Sequence, residues 1–185
     1  MTAYLQTSRL VLRQWRPSDV DVFVSMNADA RVMEFFRSTL SEDQSRAQAD
    51  QIQHFLTERG YGLFAVEVSG VAEFIGYVGL AIPRFEAHFT PCIEIGWRLA
   101  FEHWDRGYAT EAAVAVRDFA IDQLQLPSIV SFTSEGNRRS RRVMERIGMS
   151  RDPGDDFDHP SLPIGHVLRR HVLYRYPSRN KAQAA

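Results

Sequence analysis

Two stretches of this chain hold residue types that could do chemistry. In Trp104-Asp105-Arg106-Gly107-Tyr108-Ala109-Thr110-Glu111-Ala112, a small-residue loop opens directly into an Ala-rich helix. The loop follows Ile93-Glu94-Ile95-Gly96-Trp97-Arg98-Leu99, an apolar run that reads as a buried strand. Strand, glycine turn and helix start leave several backbone N–H groups unpaired. With the positive end of the helix dipole, those donors suit phosphate oxygens. Gly107 lets the backbone turn tightly and approach a ligand. An ordinary strand-to-helix turn has the same order, so the rest of the chain must decide. The second feature is Glu94 itself, a lone carboxylate in Cys92-Ile93-Glu94-Ile95-Gly96. Burial would raise its pKa toward the range of a general base. The competing possibility is an ion pair with an arginine such as Arg98 on the same face of the strand.

The elements that would position these residues are mixed α and β. Arg9–Trp15 alternates as a half-buried strand should, and Pro17 starts a helix running to Asp29. Ser41 can cap a second helix reaching Arg59, with Ala49, Ile52, Phe55 and Leu56 on one face and Gly60 at its end. Leu63–Val68 and Phe74–Ile82 read as a hairpin through Ser69-Gly70. A long helix follows from Gly107 to Leu124, then a strand at Ser128–Thr133 and a helix at Asn137–Ile147 ended by Gly148. After an acidic, Pro-containing loop, Gly165–Tyr176 is again strand-like. Residues 1–177 read as one domain and 178–185 as a loose tail.

Composition excludes several classes. The chain has 185 residues and a net charge of −1, so it lacks the basic footprint of a protein that coats nucleic acid. No apolar run approaches the ~20 residues that span a bilayer. The first residues lack a signal-peptide pattern, and the single cysteine, Cys92, fits a reducing, cytoplasmic setting. The six histidines form no zinc pattern, and no metal is expected. GxxxxGK[ST], GxGxxG after the first strand and GxSxG are all missing. Nothing in the composition opposes a homodimer.

Four segments in order resemble the GNAT acyltransferases, and within them the branch of ribosomal-protein N-terminal acetyltransferases. Leu5-Gln6-Thr7-Ser8-Arg9-Leu10-Val11-Leu12-Arg13 is similar to that branch's opening, and Glu94-Ile95-Gly96-Trp97 to its central strand. Arg106–Ala112 is similar to its pyrophosphate loop, and Asn137–Met149 to its last helix. The resemblance implies an α/β (α+β) fold: a mixed, mostly antiparallel sheet, splayed between the family's fourth and fifth strands and flanked by helices. It implies acetyl transfer from acetyl-CoA to an amine by direct transfer in a ternary complex. Pantetheine would meet the backbone of Trp97, Arg98 and Leu99 and the side chain of Asn137. The pyrophosphate would meet Arg106, Gly107, Tyr108, Ala109 and Thr110. The arginines crowding Asn137–Ile147 read by default as a solvated face, from which Arg139 and Arg142 could reach the 3′-phosphate. Trp104 and Asp105 depart from the wider family's usual residues.

Amine acetylation needs a base, because an alkyl amine is mostly protonated at neutral pH, and an acid for the leaving thiolate. The resemblance gives the first role to Glu94 and the second to Ser140, with Tyr174 as the backup donor. Many relatives carry a tyrosine where this chain has Met144, whose thioether cannot donate a proton. Cys92 reads as a small core residue rather than a relay nucleophile. The run Asp152–Pro160 holds four carboxylates that would attract a cationic acceptor if they are not simply a solvated turn. A different class, a CoA-binding sensor or interaction module without turnover, is the alternative; Glu94 and Ser140 argue against it.

Overall fold

Turn residues cut the first part of the chain into short strands. In the computed structural model, which describes residues 3–177, β1 (Ala3–Gln6), β2 (Leu10–Arg13), β3 (Leu63–Val68) and β4 (Gly76–Ala81) pair antiparallel in succession. The tail expected at 178–185 lies outside the described residues. Alternation gives the core face: Leu10 pairs with Val68 and Leu12 with Val66, and all four are buried. Between β2 and β3 lie α1 (Asp19–Ala28) and α2 (Glu42–Arg59). The Ser41 hydroxyl accepts from Gln44 N–H while the Gln44 side chain takes Ser41 N–H, and Gly60 closes α2 in the left-handed region at φ 70°. Ala49, Ile52 and Leu56 are buried as the spacing predicts, whereas Phe55 is half-buried and meets Tyr61 edge-on.

The residues group into two compact units. One takes in the chain to Leu80 together with Gly96–Val116; the other takes in Ala81–Ile95 and the chain from Arg117. Two elements contribute to both: β5 (Glu94–Leu99) and α3 (Tyr108–Asp118). In the second unit β6 (Ser128–Ser134) is followed by α4 (Arg138–Arg146), β7 (Ser150–Arg151), β8 (Phe157–Asp158) and β9 (Arg170–Pro177). β9 pairs antiparallel with β6 from Ser134↔His171 to Ser128↔Pro177, and also with β7 and β8. The parallel pairing is a single register pair, Glu94↔Val130, reinforced by Val130 N–H to the Ile93 carbonyl at 2.9 Å. Phe89, Val130, Phe157 and Leu173 form a core to which Phe85 and Phe132 add rings. The strands are thus mixed and mostly antiparallel, with helices between them, as the fold class requires.

Two differences from the sequence reading have a clear backbone cause. The last strand begins at Arg170 rather than Gly165. Gly165 sits at φ 83°, and the turns His166 N–H to Pro163 O and Arg169 N–H to His166 O use the backbone groups a strand would need. The long helix widens into a π turn at Phe119–Gln123, with Leu124 N–H reaching the Phe119 carbonyl. No helix among the described residues is long and apolar enough to cross a membrane.

Candidate active site

The glycine turn behaves as its sequence demands. Asp105 at φ 57° and Gly107 at φ 81° bend the chain, and α3 starts at Tyr108 with the Gly107 carbonyl accepting from Glu111 N–H at 3.0 Å. Among the described residues, nothing accepts from the backbone N–H groups of Arg106, Gly107, Tyr108, Ala109 and Thr110. These are the orphan donors of a helix start, in a loop that suits phosphate oxygens. The Asp105 side chain is exposed. Trp104 anchors the loop's other end, its indole N–H donating to the Leu99 carbonyl at 2.8 Å.

A clasp that the sequence reading gave no role holds the loop from the other side. The Glu111 carboxylate, in the first turn of α3, accepts from Thr7 Oγ1 at 2.6 Å, from Ser8 Oγ at 3.2 Å, and from the Arg9 N–H and Nε. Arg9 Nη2 pairs with it at 2.6 Å, and Arg9 Nη1 donates to the Arg106 carbonyl at 3.1 Å. The Arg9 guanidinium also lies 4.8 Å from the Tyr108 ring centre. Desolvation alone would raise the Glu111 pKa; the hydrogen bonds from Thr7 and Arg9 outweigh it and hold the group below its usual value. The opening Thr7-Ser8-Arg9 therefore fixes the turn at the start of α3.

Along β5, Arg98 and Leu99 already have backbone neighbours. A Cβ on Gly76 would run into the Arg98 carbonyl, and Leu99 gives its carbonyl to Trp104. By strand alternation, the hydrogen-bonding groups of Trp97 face away from β4. Arg98 does not pair with Glu94: four residues of extended chain span ~13 Å, beyond side-chain reach of a salt bridge. Its guanidinium instead meets Asn27 Oδ1 at 2.6 Å.

In the second unit, Glu94 is half-buried and, among the described residues, has no cation against it; burial pushes its carboxyl up to about 8. Some accessible surface with a desolvated carboxyl is what a base must combine. Cys92 is pushed up to about 11, first by burial and then by the Glu94 charge, so its thiol keeps its proton. Asn137 caps α4: its Oδ1 accepts from Ser140 N–H at 3.2 Å, and its Nδ2 donates to Thr133 Oγ1 at 3.0 Å and to Ser140 Oγ at 3.2 Å. Ser140 Oγ, thus accepting, keeps its own proton to give. Tyr174 is 3% exposed, and its hydroxyl donates to Glu145 Oε1 at 2.9 Å. Met144 is 1% exposed, a core residue, while Arg139 and Arg142 are exposed on α4.

The acidic loop is not a free negative patch. Asp155 pairs with Arg175 at 2.7 Å and with the His88 ring at 3.4 Å, and Asp158 with Arg169 and Arg170. Asp156 pairs with Arg151, and Asp152 accepts from Gly154 N–H. Hydrogen bonds from Arg175 and Arg151 hold Asp155 and Asp156 below the usual carboxylate range. Trp15 is a core residue bonded to the Leu63 carbonyl, and Phe85 packs against the rings of Phe89, Phe132 and Phe157.

The chain as a whole is similar to known proteins. The sequence profile of the family described as Acetyltransferase (GNAT) domain matches residues 9–150. The protein YkkB of Bacillus subtilis (strain 168) is 32% identical over 148 residues, 78% of this chain and 84% of its own. The crystal structure of an acetyltransferase from Agrobacterium tumefaciens str. C58 superposes with a TM-score of 0.73 at 31% identity, covering 93% of this chain and 92% of that one. RimL, a ribosomal L7/L12 alpha-N-protein acetyltransferase solved with coenzyme A, shares the fold with a TM-score of 0.76 at 15% identity, over 96% of this chain and 98% of its own. With the profile covering most of its length, the chain belongs to the GNAT acetyltransferase family.

Proposed function

We propose that this acetyltransferase uses acetyl-CoA to acetylate a primary amine directly, with Glu94 as base and Ser140 as proton donor. Acetyl-CoA supplies an activated thioester carbonyl; this chain's residues hold it and move the protons. The open N–H groups of Arg106–Thr110, at a loop fixed by Trp104 and the Glu111 clasp, fit the pyrophosphate. Trp97 offers strand backbone to the pantetheine arm, and the exposed Arg139 and Arg142 are candidates for the 3′-phosphate. Asn137 spends its side chain on the cap, which leaves less of it for pantetheine. The likeness to RimL supports a peptide N-terminus as one acceptor class beside small amines. The two units are read as one domain, because β5 and α3 each contribute to both.

As the amine nitrogen bonds to the acyl carbon, Glu94 takes its proton; as the C–S bond breaks, the Ser140 hydroxyl donates toward the sulfur. Ser140 is preferred to Tyr174 because the Tyr174 proton is committed to Glu145. The raised pKa of Cys92 disfavours an acyl-cysteine relay.

The observation that carries the mechanism is Glu94 on β5: half-buried, with no cation against it among the described residues, and its carboxyl raised to about 8 by burial. Release of free thiol from acetyl-CoA, measured across an amine panel, should give kcat/KM rising with pH and levelling above about 8. Glu94→Gln should lower kcat/KM about 10²-fold and flatten that rise. Full activity of the variant at neutral pH would make Glu94 structural and remove the mechanism.

A further inference from the structure

We propose that Arg98 is the anion-recognition point of the acceptor site, and that it takes the carboxylate of an amine that also carries one; this rests on the acetyltransferase reading above. Arg98 is 7% exposed, so its charge is largely withdrawn from water. A guanidinium has five N–H donors and is always charged. Among the described residues one of them is used: Nη1 donates to Asn27 Oδ1 at 2.6 Å. Asn27 is fully buried and fixed in turn, its Nδ2 donating to Ser45 Oγ at 3.2 Å. Nε is buried with no partner, and among the described residues no group accepts from Nη2 and no carboxylate pairs with the charge.

The remaining neighbours are rings. The guanidinium carbon lies 4.0 Å from the Phe36 centre and 5.4 Å from that of Tyr77. Rings engage the face of a guanidinium and leave its edge for hydrogen bonds. The open edge is the Nε–Nη2 side, whose two parallel N–H bonds match a planar carboxylate. Phe36, against the guanidinium face, is 39% exposed. Strand alternation puts the Arg98 side chain on the opposite side of β5 from those of Trp97 and Leu99. A buried charge with four idle donors is costly to keep unless a ligand completes it.

The test uses ω-aminoalkanoic acids of increasing length and their methyl esters as matched acceptors, with thiol release from acetyl-CoA as the readout. Wild type should prefer the acid of the fitting length by about tenfold or more in kcat/KM. Arg98→Met should bring the acid-to-ester ratio to near one through the acceptor KM, with the KM for acetyl-CoA unchanged. Arg98→Lys, which keeps the charge but not the fork, should fall between, and it serves if the methionine variant fails to fold. A wild type without preference for the acid, a ratio that survives in Arg98→Met, or a preference for aminoalkyl phosphates over matched acids would each overturn the assignment. If no amine is acetylated although acetyl-CoA raises the melting temperature, the acetyltransferase reading fails on its own. Arg98 is then judged by 6-aminohexanoate alone: a thermal shift in wild type that Arg98→Met loses sustains the site, and no shift ends it.

Discussion

Arg13 and Arg98 both stand in strands of the first unit, and both are more than nine-tenths removed from water. Their surroundings differ completely. Arg13 has Asp19 on Nη1 and Nη2 at 2.7 and 2.9 Å, Glu67 on Nε at 2.8 Å, and the carbonyls of Gln14 and Glu73 besides. Desolvation works against its charge, yet the hydrogen bonds and charges of Asp19 and Glu67 win, and its pKa is raised. Arg98 has one amide oxygen. The second unit repeats the contrast with other residue types: the Tyr174 hydroxyl is satisfied by Glu145, while the Glu94 carboxyl has no cation. Groups completed inside the chain serve stability. Those left incomplete are the ones available to a substrate.

This division can be broken by mutation. Arg13→Met strands the buried Asp19 and should cost about 3–5 kcal/mol in chemical denaturation. Arg98→Met should shift the same midpoint by less than about 1 kcal/mol in either direction, since it removes a charge no acid neutralises. Equal losses in the two variants would dissolve the distinction between them.

The next largest effect belongs to Glu94. Its folded pKa of about 8 lies above the ordinary 4.5, so between those values the folded protein keeps a proton that the unfolded chain has released. Stability should therefore fall as pH rises from about 5 to about 8 and then level off. Glu94→Gln should match wild type near pH 4.5 and exceed it by up to ~5 kcal/mol above pH 8. Parallel stability curves for the two proteins would show that the carboxyl is not held protonated.

The smallest effect tests the satisfied partner. Tyr174→Phe should cost about 1 kcal/mol for the lost bond to Glu145, with kcat unchanged. A tenfold fall in kcat with intact folding would transfer the acid role from Ser140 to Tyr174.

Local pattern made much of this legible. The loop glycine, the start of α3, the Ser41 cap and the apolar alternation of β2 and β3 depend on near neighbours in sequence, and each stands where spacing put it. What depends on distant partners was not legible. Nothing around Thr7-Ser8-Arg9 reveals that a carboxylate about a hundred residues downstream will hold it. Likewise, four carboxylates in Asp152–Pro160 look like a negative patch until Arg151, Arg169, Arg170 and Arg175 come back to them across β7, β8 and β9. Charge counted along a chain overstates charge presented in space. The Arg98 side chain, read as a partner for Glu94, goes to Asn27 because a strand separates the two by four residues.

The Glu111 clasp has a mechanical side. It staples the link between the first two strands to the start of α3, so the proposed grip on pyrophosphate at the turn and tension in the opening strand act through the same carboxylate. Coupling of this kind is reciprocal: whatever steadies one end steadies the other by the same free energy. A fusion or partner that pulls on the opening strand would thus be felt as weaker hold on the donor, at a distance from any atom that touches it.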